Sequence, residues 1–404
     1  MKKLLVLVLA LVLALSSTAF AAVELEMNFW MAEQEDGVMA AVEAFNASQD
    51  EIKVNASVVP WGQYWDKLVV GLPAGSAPDV FAINALNVVD YARNGYLIDL
   101  TDLFESGAID VSKYPAHAID AHTVDGVLRG VPRDYDAIAV YYNKDMFDAA
   151  GVAYPQDGWT WDEFIETAKA LTDAENGIYG CCIAAGGQAF GYDYIYGNGG
   201  QLFDENGMCV VNSPENVEAF TKLYEAIAVH GISPSIEEQV EIDSDTRFQS
   251  YMVPMCFGGS WNMGLYVDAF GESLGVVQLP VMKEKSTISH SLAWVGAAST
   301  AHPEEVKTFL TYMAGEEAQA AASVQVIPAY EGTDAQWAAR FENYNTDAFL
   351  GAIAEGWAHA LPAAAKNVQE IFSKFDSYMV EMLTTGEIEA NLAAMEAEFN
   401  DLLK

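Results

Sequence analysis

The strongest constraint on the fold is an alternation of strand-like and helix-like segments in the first part of the chain. Residues 25–30 have the pattern of a strand, and apolar residues then recur at helical spacing up to Phe45. Residues 52–58 alternate as a second strand, a further amphipathic helix follows, and residues 80–83 form a short apolar run typical of a buried strand. This order predicts an α/β fold with a mostly parallel sheet and helices on both of its faces.

The length of the chain predicts more than one structural unit. The sequence has 404 residues, whereas single hydrophobic cores stop growing at about 250–300 residues. We therefore expect two lobes. Near residue 130 the pattern changes, and Pro132 leads into a long strand-like run that ends at Tyr142, which predicts a crossover from one lobe to the other.

Two helices further along the chain have recognisable first residues. Thr160 precedes an apolar stripe and Glu163 follows three residues later, which is the pattern of a capping box. Ser213 precedes Pro214, the usual order of a capping residue and a first-turn proline. We therefore expect helices to begin at both places.

The N-terminal residues have the composition of a secretory signal peptide. Lys2 and Lys3 precede an apolar run over residues 4–15, and small residues follow up to Ala21. The apolar run is shorter than the roughly 20 residues that span a bilayer, so we expect residues 1–21 to be cleaved off. No cysteine follows the run to accept a lipid, which predicts an exported, unlipidated protein in the periplasm or outside the cell.

The charge of the chain excludes two classes of partner. Asp and Glu number 58 against 19 Lys and Arg, and the formal net charge is −39. Nucleic acids and anionic lipids bind basic surfaces, so we expect neither as a partner. The acidity itself favours solubility over a specific acidic function.

The cysteines and histidines do not form metal-binding patterns. The four cysteines, Cys181, Cys182, Cys209 and Cys256, lack the paired spacing of a zinc site. They are compatible with a disulfide from Cys209 to Cys181 or Cys182, or with four buried thiols. The six histidines are scattered, and none lies in a His-Glu-x-x-His arrangement. We therefore expect no metal and no cofactor.

Catalytic motifs are also missing from the sequence. Ser260 follows two glycines, but a nucleophile elbow also needs a glycine two residues after the serine, and this glycine is missing. Residues 197–200 are rich in glycine but do not form the fingerprint of a nucleotide-binding loop. Glycoside hydrolysis is the remaining catalytic alternative, because it needs only two carboxylates. Sequence spacing does not measure their separation, so this alternative depends on the abundance of acidic residues alone. We expect a protein that is not an enzyme.

Three segments carry a resemblance to a known family. They are residues 74–81 (AGSAPDVF), residues 130–147 (from GVPRDY to YYNKDMF) and residues 159–164 (WTWDEF). All three closely resemble the extracellular sugar-binding proteins of ABC importers, the family that includes maltose-binding protein. Weaker similarity at residues 255–261, 275–280, 303–315 and 327–329 extends the match over nearly the whole mature chain.

The resemblance implies a two-lobed periplasmic-binding-protein fold with three inter-lobe crossovers and a ligand cleft at the hinge. The N-terminal lobe would comprise residues 22–134 and 288–326, and the C-terminal lobe residues 135–287 and 327–404. The implied function is that of the substrate-binding component of an ABC-type sugar importer, a monomer that captures a mono- or oligosaccharide by lobe closure and delivers it to the membrane permease. A same-fold receptor for a non-sugar solute is the main alternative.

A sugar site needs aromatic rings that stack on C–H faces and polar groups that hydrogen-bond hydroxyls. Such residues follow predicted strands or match binding positions of the family. Tyr192 belongs to a run of aromatics at period two, which would share one face of a strand but would mostly become core in a helix. Trp261 matches a stacking tryptophan of the family. The predicted substrate-binding residues are Trp30, Glu33, Gln34, Asn84, Asp134, Asp136, Tyr192, Trp261 and Trp294.

Overall fold

The computed structural model describes residues 22–322, 325–360 and 366–404. The predicted signal peptide, residues 1–21, lies outside the described residues. The strands are β1 (Val23–Phe29), β2 (Ile52–Val58), β3 (Val80–Asn84), β4 (Thr123–Val124), β5 (Val127–Leu128), β6 (Val131–Tyr135), β7 (Ile138–Asn143), β8 (Met255–Gly259), β9 (Leu274–Val277), β10 (Thr287–Ser289), β11 (Ser291–Gly296), β12 (Ile327–Pro328) and β13 (Ala358–Ala360).

The α-helices separate these strands and cover the sheets. They are Glu35–Ser48, Trp61–Ala74, Ala85–Arg93, Thr101–Glu105, Ala116–Ala121, Lys144–Ala150, Trp161–Leu171, Tyr192–Gly197, Pro214–Ala228, Ile236–Glu241, Ser244–Gln249, Met263–Phe270, Pro303–Met313, Glu316–Ala322, Asp334–Arg340, Asp347–Ala354, Val368–Thr385 and Ile388–Leu402.

The larger sheet has six strands in the order β12-β6-β11-β3-β1-β2. Strand β1 runs parallel to β2 and β3, as the alternation predicts, whereas β11 runs antiparallel to both β3 and β6. The sheet is therefore parallel on one side and antiparallel on the other. Every residue of β3 is buried, which agrees with the short apolar run over residues 80–83.

The smaller sheet has three antiparallel strands in the order β8-β7-β9. All residues of these strands are buried. Helices pack on this sheet, and their apolar residues form a hydrophobic core with those of the strands. The longest of these helices is Val368–Thr385, which buries Phe375 and Met379. The α/β architecture thus has two lobes, each built around its own sheet.

Three crossovers connect the lobes. The first runs from β6 in the larger sheet to β7 in the smaller sheet, the second enters β11 after β10, and the third leaves the larger sheet after β12. The lobe limits remain a prediction. Within the described residues, however, Ile327–Pro328 pairs with β6, so the larger sheet extends past residue 326.

Local signals in the sequence agree with the helix starts. Thr160 accepts a hydrogen bond from the backbone N–H of Glu163, and the Glu163 carboxylate accepts one from the backbone N–H of Thr160. This is the predicted capping box. Ser213 caps the next predicted helix, and Pro214 occupies its first turn.

The described residues contain no helix that is long and apolar enough to cross a membrane. The four cysteines are all buried and free in this structure. Among the same residues, no group of His, Cys, Asp and Glu side chains is arranged to hold a metal ion.

Candidate functional site

A cavity of about 340 Å³ lies where the first two crossovers meet the ends of β1, β3 and β8. Its position, at the carboxyl ends of strands and between two lobes, is typical of ligand sites in α/β proteins. Seven of the nine predicted binding residues line it: Trp30, Glu33, Gln34, Asn84, Asp134, Asp136 and Trp261.

Aromatic side chains of the larger-sheet lobe form one wall of the cavity. Trp30 follows β1, and Trp61 begins the helix after β2. Their ring centroids are 5.2 Å apart in an edge-on arrangement, and Tyr64 and Trp65 pack against Trp30 from behind. Trp61 is 55% exposed, so the indole ring of Trp61 is open to solvent at the mouth of the cavity.

Trp261 contributes an aromatic ring from the opposite lobe. It follows β8 in a short 3-10 turn, and a Cβ atom placed on Gly259 would come closer than 3.0 Å to three carbons of its ring. The missing side chain of Gly259 therefore leaves the space in which the Trp261 ring lies. Gly259 has φ −81°, so space rather than backbone conformation requires glycine here.

Arg133 is buried behind two polar residues that line the cavity, Gln34 and Asp134. Its guanidinium is fully buried, donates to the Asp134 carboxylate at 2.7 Å and to the side-chain oxygen of Gln34, and lies 5.5 Å from the centroid of the Trp294 ring. The Asp134 carboxylate also accepts from the backbone N–H of Leu292 at 3.0 Å. Burial raises the pKa of Asp134 to about 6, although neighbouring Arg133 acts in the opposite direction.

Asp136 lies on the first crossover and contacts the second. Its carboxylate accepts from the backbone N–H of His290 at 2.8 Å, and Gln188 Nε2 is 3.4 Å from its other oxygen. Asp136 is 6% exposed. The carboxylate thus joins two crossovers and the smaller-sheet lobe at one point on the cavity wall.

Asn84 has a structural role beside its place in the cavity. It ends β3, and its side-chain oxygen accepts from the backbone N–H of Asn87 at 2.9 Å, which caps the helix Ala85–Arg93. A polar residue at this strand end is therefore explained by capping as well as by the cavity.

The structure does not place Tyr192 and Trp294 on the cavity, which corrects the prediction for both. Residues 192–197 form a helix, not a strand, so Tyr192 points into the core and its ring lies 4.4 Å from that of Phe375. Trp294 is fully buried in β11, with Phe29 against its ring. Its place in a sheet centre leaves no face for a ligand.

Several lining residues were missed by the sequence analysis: Trp61, Tyr135, Gln188 and His290. Trp61 falls among the helically spaced aromatic residues of its helix, a pattern that usually indicates core packing. Gln188 lies in a π-helical turn over Gly187–Gly191, a conformation that is often found at functional sites. His290 is an isolated histidine in a crossover, and neither its spacing nor its neighbours in sequence mark it.

The fold and the cavity together define a class: a two-lobed α/β binding protein with an aromatic and polar cleft between its lobes. A family model for bacterial extracellular solute-binding proteins matches residues 31–320. The chain therefore belongs to the bacterial extracellular solute-binding protein family.

Relatives and solved structures agree with this assignment. The chain is 27% identical to an arabinooligosaccharide-binding protein of Halalkalibacterium halodurans over 293 residues, which span 69% of this chain and 63% of that protein. It is 26% identical to an arabinooligosaccharide-binding protein of Bacillus subtilis over 73% of this chain and 70% of that one.

A solved ABC substrate-binding protein from Listeria monocytogenes, in complex with cycloalternan, has the same fold. It superposes with a TM-score of 0.86 at 26% identity, covering 94% of this chain and 98% of that chain. A solute-binding protein from Thermotoga lettingae bound with α-D-tagatose superposes with a TM-score of 0.82 at 20% identity. It covers 95% of this chain and 100% of that one, and at this identity it supports the fold alone.

Proposed function

We propose that this protein is the exported substrate-binding component of an ABC importer, and that it captures a carbohydrate in the cleft and delivers it to the permease subunits. One observation carries the proposal. Aromatic rings from both lobes, Trp30 and Trp61 on one side and Trp261 on the other, face a cavity that is also lined by carboxylate and amide groups. Sugars need this combination, because they have apolar C–H faces and a rim of hydroxyls.

The names of the relatives support a sugar as the ligand. Two are arabinooligosaccharide-binding proteins, and others include a lactose-binding and a maltodextrin-binding protein. The charges at the cavity support a neutral ligand over a phosphorylated one, because no Lys or Arg is among the described residues that line it. Arg133 lies behind this lining and is engaged by Asp134 and Gln34, whereas phosphate recognition relies on Arg side chains that can face the ligand.

We also propose that the protein binds its ligand without chemical conversion. A glycosidase needs one carboxylic acid that donates a proton and one carboxylate that acts as base or nucleophile. In this cavity Asp134 is held by Arg133 and Asp136 by the backbone of His290. These hydrogen bonds fix both carboxylates at the crossovers between the lobes. This arrangement supports a role in binding the ligand and in holding the crossovers together, and not a role in proton transfer or nucleophilic attack.

A thermal-shift screen tests the proposal. We expect a narrow group of mono- or oligosaccharides to raise the melting temperature, because a ligand at about 100 times its Kd adds roughly 2.7 kcal/mol of stability. Product analysis after prolonged incubation should recover the sugar unchanged. A flat response to arabino-, malto- and galacto-oligosaccharides would contradict carbohydrate binding, and turnover would contradict a receptor without catalysis.

A further inference from the structure

The helix Val368–Thr385 contacts the turn that carries Gln188. Gln188 lines the cavity and lies in the π-helical turn Gly187–Gly191. The helix is described over its full length, and none of its residues lines the cavity. One of the hydrogen bonds between helix and turn joins residues that are 189 positions apart in the sequence. The position of a cavity-lining side chain therefore depends on a helix outside the cavity.

The helix supplies the cap that the turn cannot supply for itself. The first N–H groups of a helical turn have no partner within the turn and need an acceptor from elsewhere. Gly186 occupies the capping position, and it has no side chain that could accept. The Asp376 carboxylate instead accepts a hydrogen bond from the backbone N–H of Gly187 at 2.9 Å. Asp376 thus caps the turn from a distant part of the chain.

Close packing holds the other end of the turn against the same helix. A Cβ atom on Gly191 would lie 2.6 Å from the Met379 sulfur and 2.6 Å from a ring carbon of Phe375. Phe375 and Met379 are one helical turn apart, so they lie on the same face of the helix, and Asp376 follows Phe375 directly. The helix Val368–Thr385 therefore fixes both ends of the turn.

Between these two ends, the Gln188 side chain extends to the first crossover. Its Nε2 atom lies 3.4 Å from a carboxylate oxygen of Asp136, which also lines the cavity. A side-chain amide has two N–H donors and one oxygen acceptor. Gln188 can therefore contact Asp136 and a ligand hydroxyl group at the same time, provided that the backbone of the turn holds the amide in this place.

We propose that Asp376 is a positioning residue for ligand binding: it acts from outside the cavity by holding the turn at Gly187, so that the Gln188 amide meets a hydroxyl group of the bound sugar. This inference rests on the proposed carbohydrate binding. Because Asp376 acts through a hydrogen bond to the backbone, its side-chain oxygen and not its negative charge is what binding requires.

A double-mutant cycle measured by titration calorimetry at pH 7 tests this role. The probes are arabinotriose, lactose and maltotriose, which represent the sugars in the names of the relatives. For the sugar that binds the wild type, we expect Gln188→Ala to lower the affinity about tenfold and Asp376→Ala about fivefold. The variant with both changes should bind no more than about twofold more weakly than Gln188→Ala, because the amide that Asp376 positions is already missing.

Two further substitutions separate the oxygen acceptor from the charge. Asp376→Asn keeps a side-chain oxygen for the Gly187 N–H, so its affinity should stay within about twofold of the wild type. Asp376→Glu keeps the charge but moves the acceptor by one methylene group, and it should lose about as much affinity as Asp376→Ala. It also replaces Asp376→Ala in the cycle if that variant does not fold.

Glu396→Ala is the matched control. The Glu396 carboxylate also accepts from a distant backbone N–H, that of Asn212 at 2.9 Å, and Glu396 is not among the described residues that line the cavity. Its loss should leave the affinity unchanged.

Three results would overturn the positioning role and leave carbohydrate binding intact. They are wild-type affinity in Gln188→Ala, wild-type affinity in both Asp376→Ala and Asp376→Glu, and losses that multiply when Gln188→Ala and Asp376→Ala are combined. If no sugar binds the wild-type protein, the proposed function fails, and this inference fails with it.

Discussion

Asp136 and His290 are joined by two hydrogen bonds that run in opposite directions. The backbone N–H of His290 donates to the Asp136 carboxylate at 2.8 Å, and the backbone N–H of Asp136 donates to the His290 carbonyl at 3.0 Å. The two residues belong to different crossovers, and both line the cavity. The link that aligns the hinge strands is therefore part of the wall that a ligand would contact.

Removing the Asp136 carboxylate should weaken both the fold and binding. In Asp136→Ala the buried N–H of His290 loses its acceptor, and an unsatisfied buried donor costs about 1–3 kcal/mol. Asp136→Asn keeps an acceptor for that N–H but turns an NH₂ group toward Gln188, so we expect a smaller stability loss and a similar loss of affinity. Urea denaturation and titration calorimetry measure the two effects. An Asp136→Ala variant as stable as the wild type would contradict the hinge role.

Adding a methyl group at Gly259 should displace the Trp261 ring. The new Cβ would come closer than 3.0 Å to ring carbons, so the ring must rotate out of its place on the cavity. We expect Gly259→Ala to reduce sugar affinity about tenfold, a change of about 1.4 kcal/mol, and to cost about 1–3 kcal/mol of stability through overpacking. Tryptophan fluorescence and calorimetry follow the ring and the affinity.

Gly258→Ala is the control for that substitution. Its Cβ would approach Asn262 Nδ2 at 3.1 Å and the Tyr141 ring at 3.3 Å, contacts that small side-chain movements can relieve. Its effect on affinity should be much smaller than that of Gly259→Ala. Equal losses from the two variants would show that the strand itself, and not the position of Trp261, controls binding.

The carboxyl group of Asp376 should make the free energy of unfolding depend on pH. Its carboxylate accepts from the backbone N–H of Gly187 at 2.9 Å, and burial raises the pKa of Asp376 to about 6. An unfolded Asp titrates near pH 4, so between about pH 4 and 6 the folded chain holds a proton that the unfolded chain has released. The contribution of Asp376 to stability therefore falls as pH rises through this window and is constant above it.

Asp376→Asn separates this contribution from those of other carboxyl groups. Asn keeps a side-chain oxygen for the Gly187 N–H and does not titrate, so the variant should gain stability relative to the wild type as pH rises from 4 to 7. Urea midpoints at four pH values measure the difference, and Glu205→Gln, at an exposed position, should leave the curve nearly unchanged. Parallel curves for Asp376→Asn and the wild type would contradict the prediction.

Local patterns in the sequence predicted the parts of the fold that depend on neighbours along the chain. The alternation through β3 determines the parallel half of the larger sheet, and Thr160 with Glu163 determines a helix start. The antiparallel pairing of β11 with β3 and β6 joins segments more than 150 residues apart. No local pattern specifies such pairing, so the mixed character of the sheet was not predictable.

The same distinction explains which site residues were found. Trp30 and Asn84 were predicted because they follow strands whose ends meet at one edge of the sheet. Trp61 was missed because helical spacing does not reveal which exposed position faces a cleft between lobes. Gln188 was missed because its orientation depends on the π-helical turn over Gly187–Gly191. Gly191 fits there because a side chain would collide with Phe375 and Met379. These two residues belong to a helix near the other end of the chain, so the sequence around Gln188 does not specify the contact.

Tyr192 should stabilise the fold without contributing to binding. Its ring is 1% exposed and packs on Phe375, and a Cβ on Gly187 would meet it at 2.6 Å, so the site is tightly filled. Tyr192→Ala should cost about 3–5 kcal/mol of stability, as large aromatic truncations in cores do. The affinity of the molecules that remain folded should equal that of the wild type, because Tyr192 does not line the cavity.

Tyr192→Phe tests the same point in a variant that keeps the packed ring. We expect near wild-type affinity for any sugar identified in the screen, since only a hydroxyl group is removed and Tyr192 does not line the cavity. Calorimetry at a temperature well below the melting transition measures affinity for both variants, and urea denaturation measures stability. If Tyr192→Phe weakened binding by the tenfold expected for Gly259→Ala, the Tyr192 hydroxyl would have to reach the ligand, and the helix 192–197 would belong to the binding site.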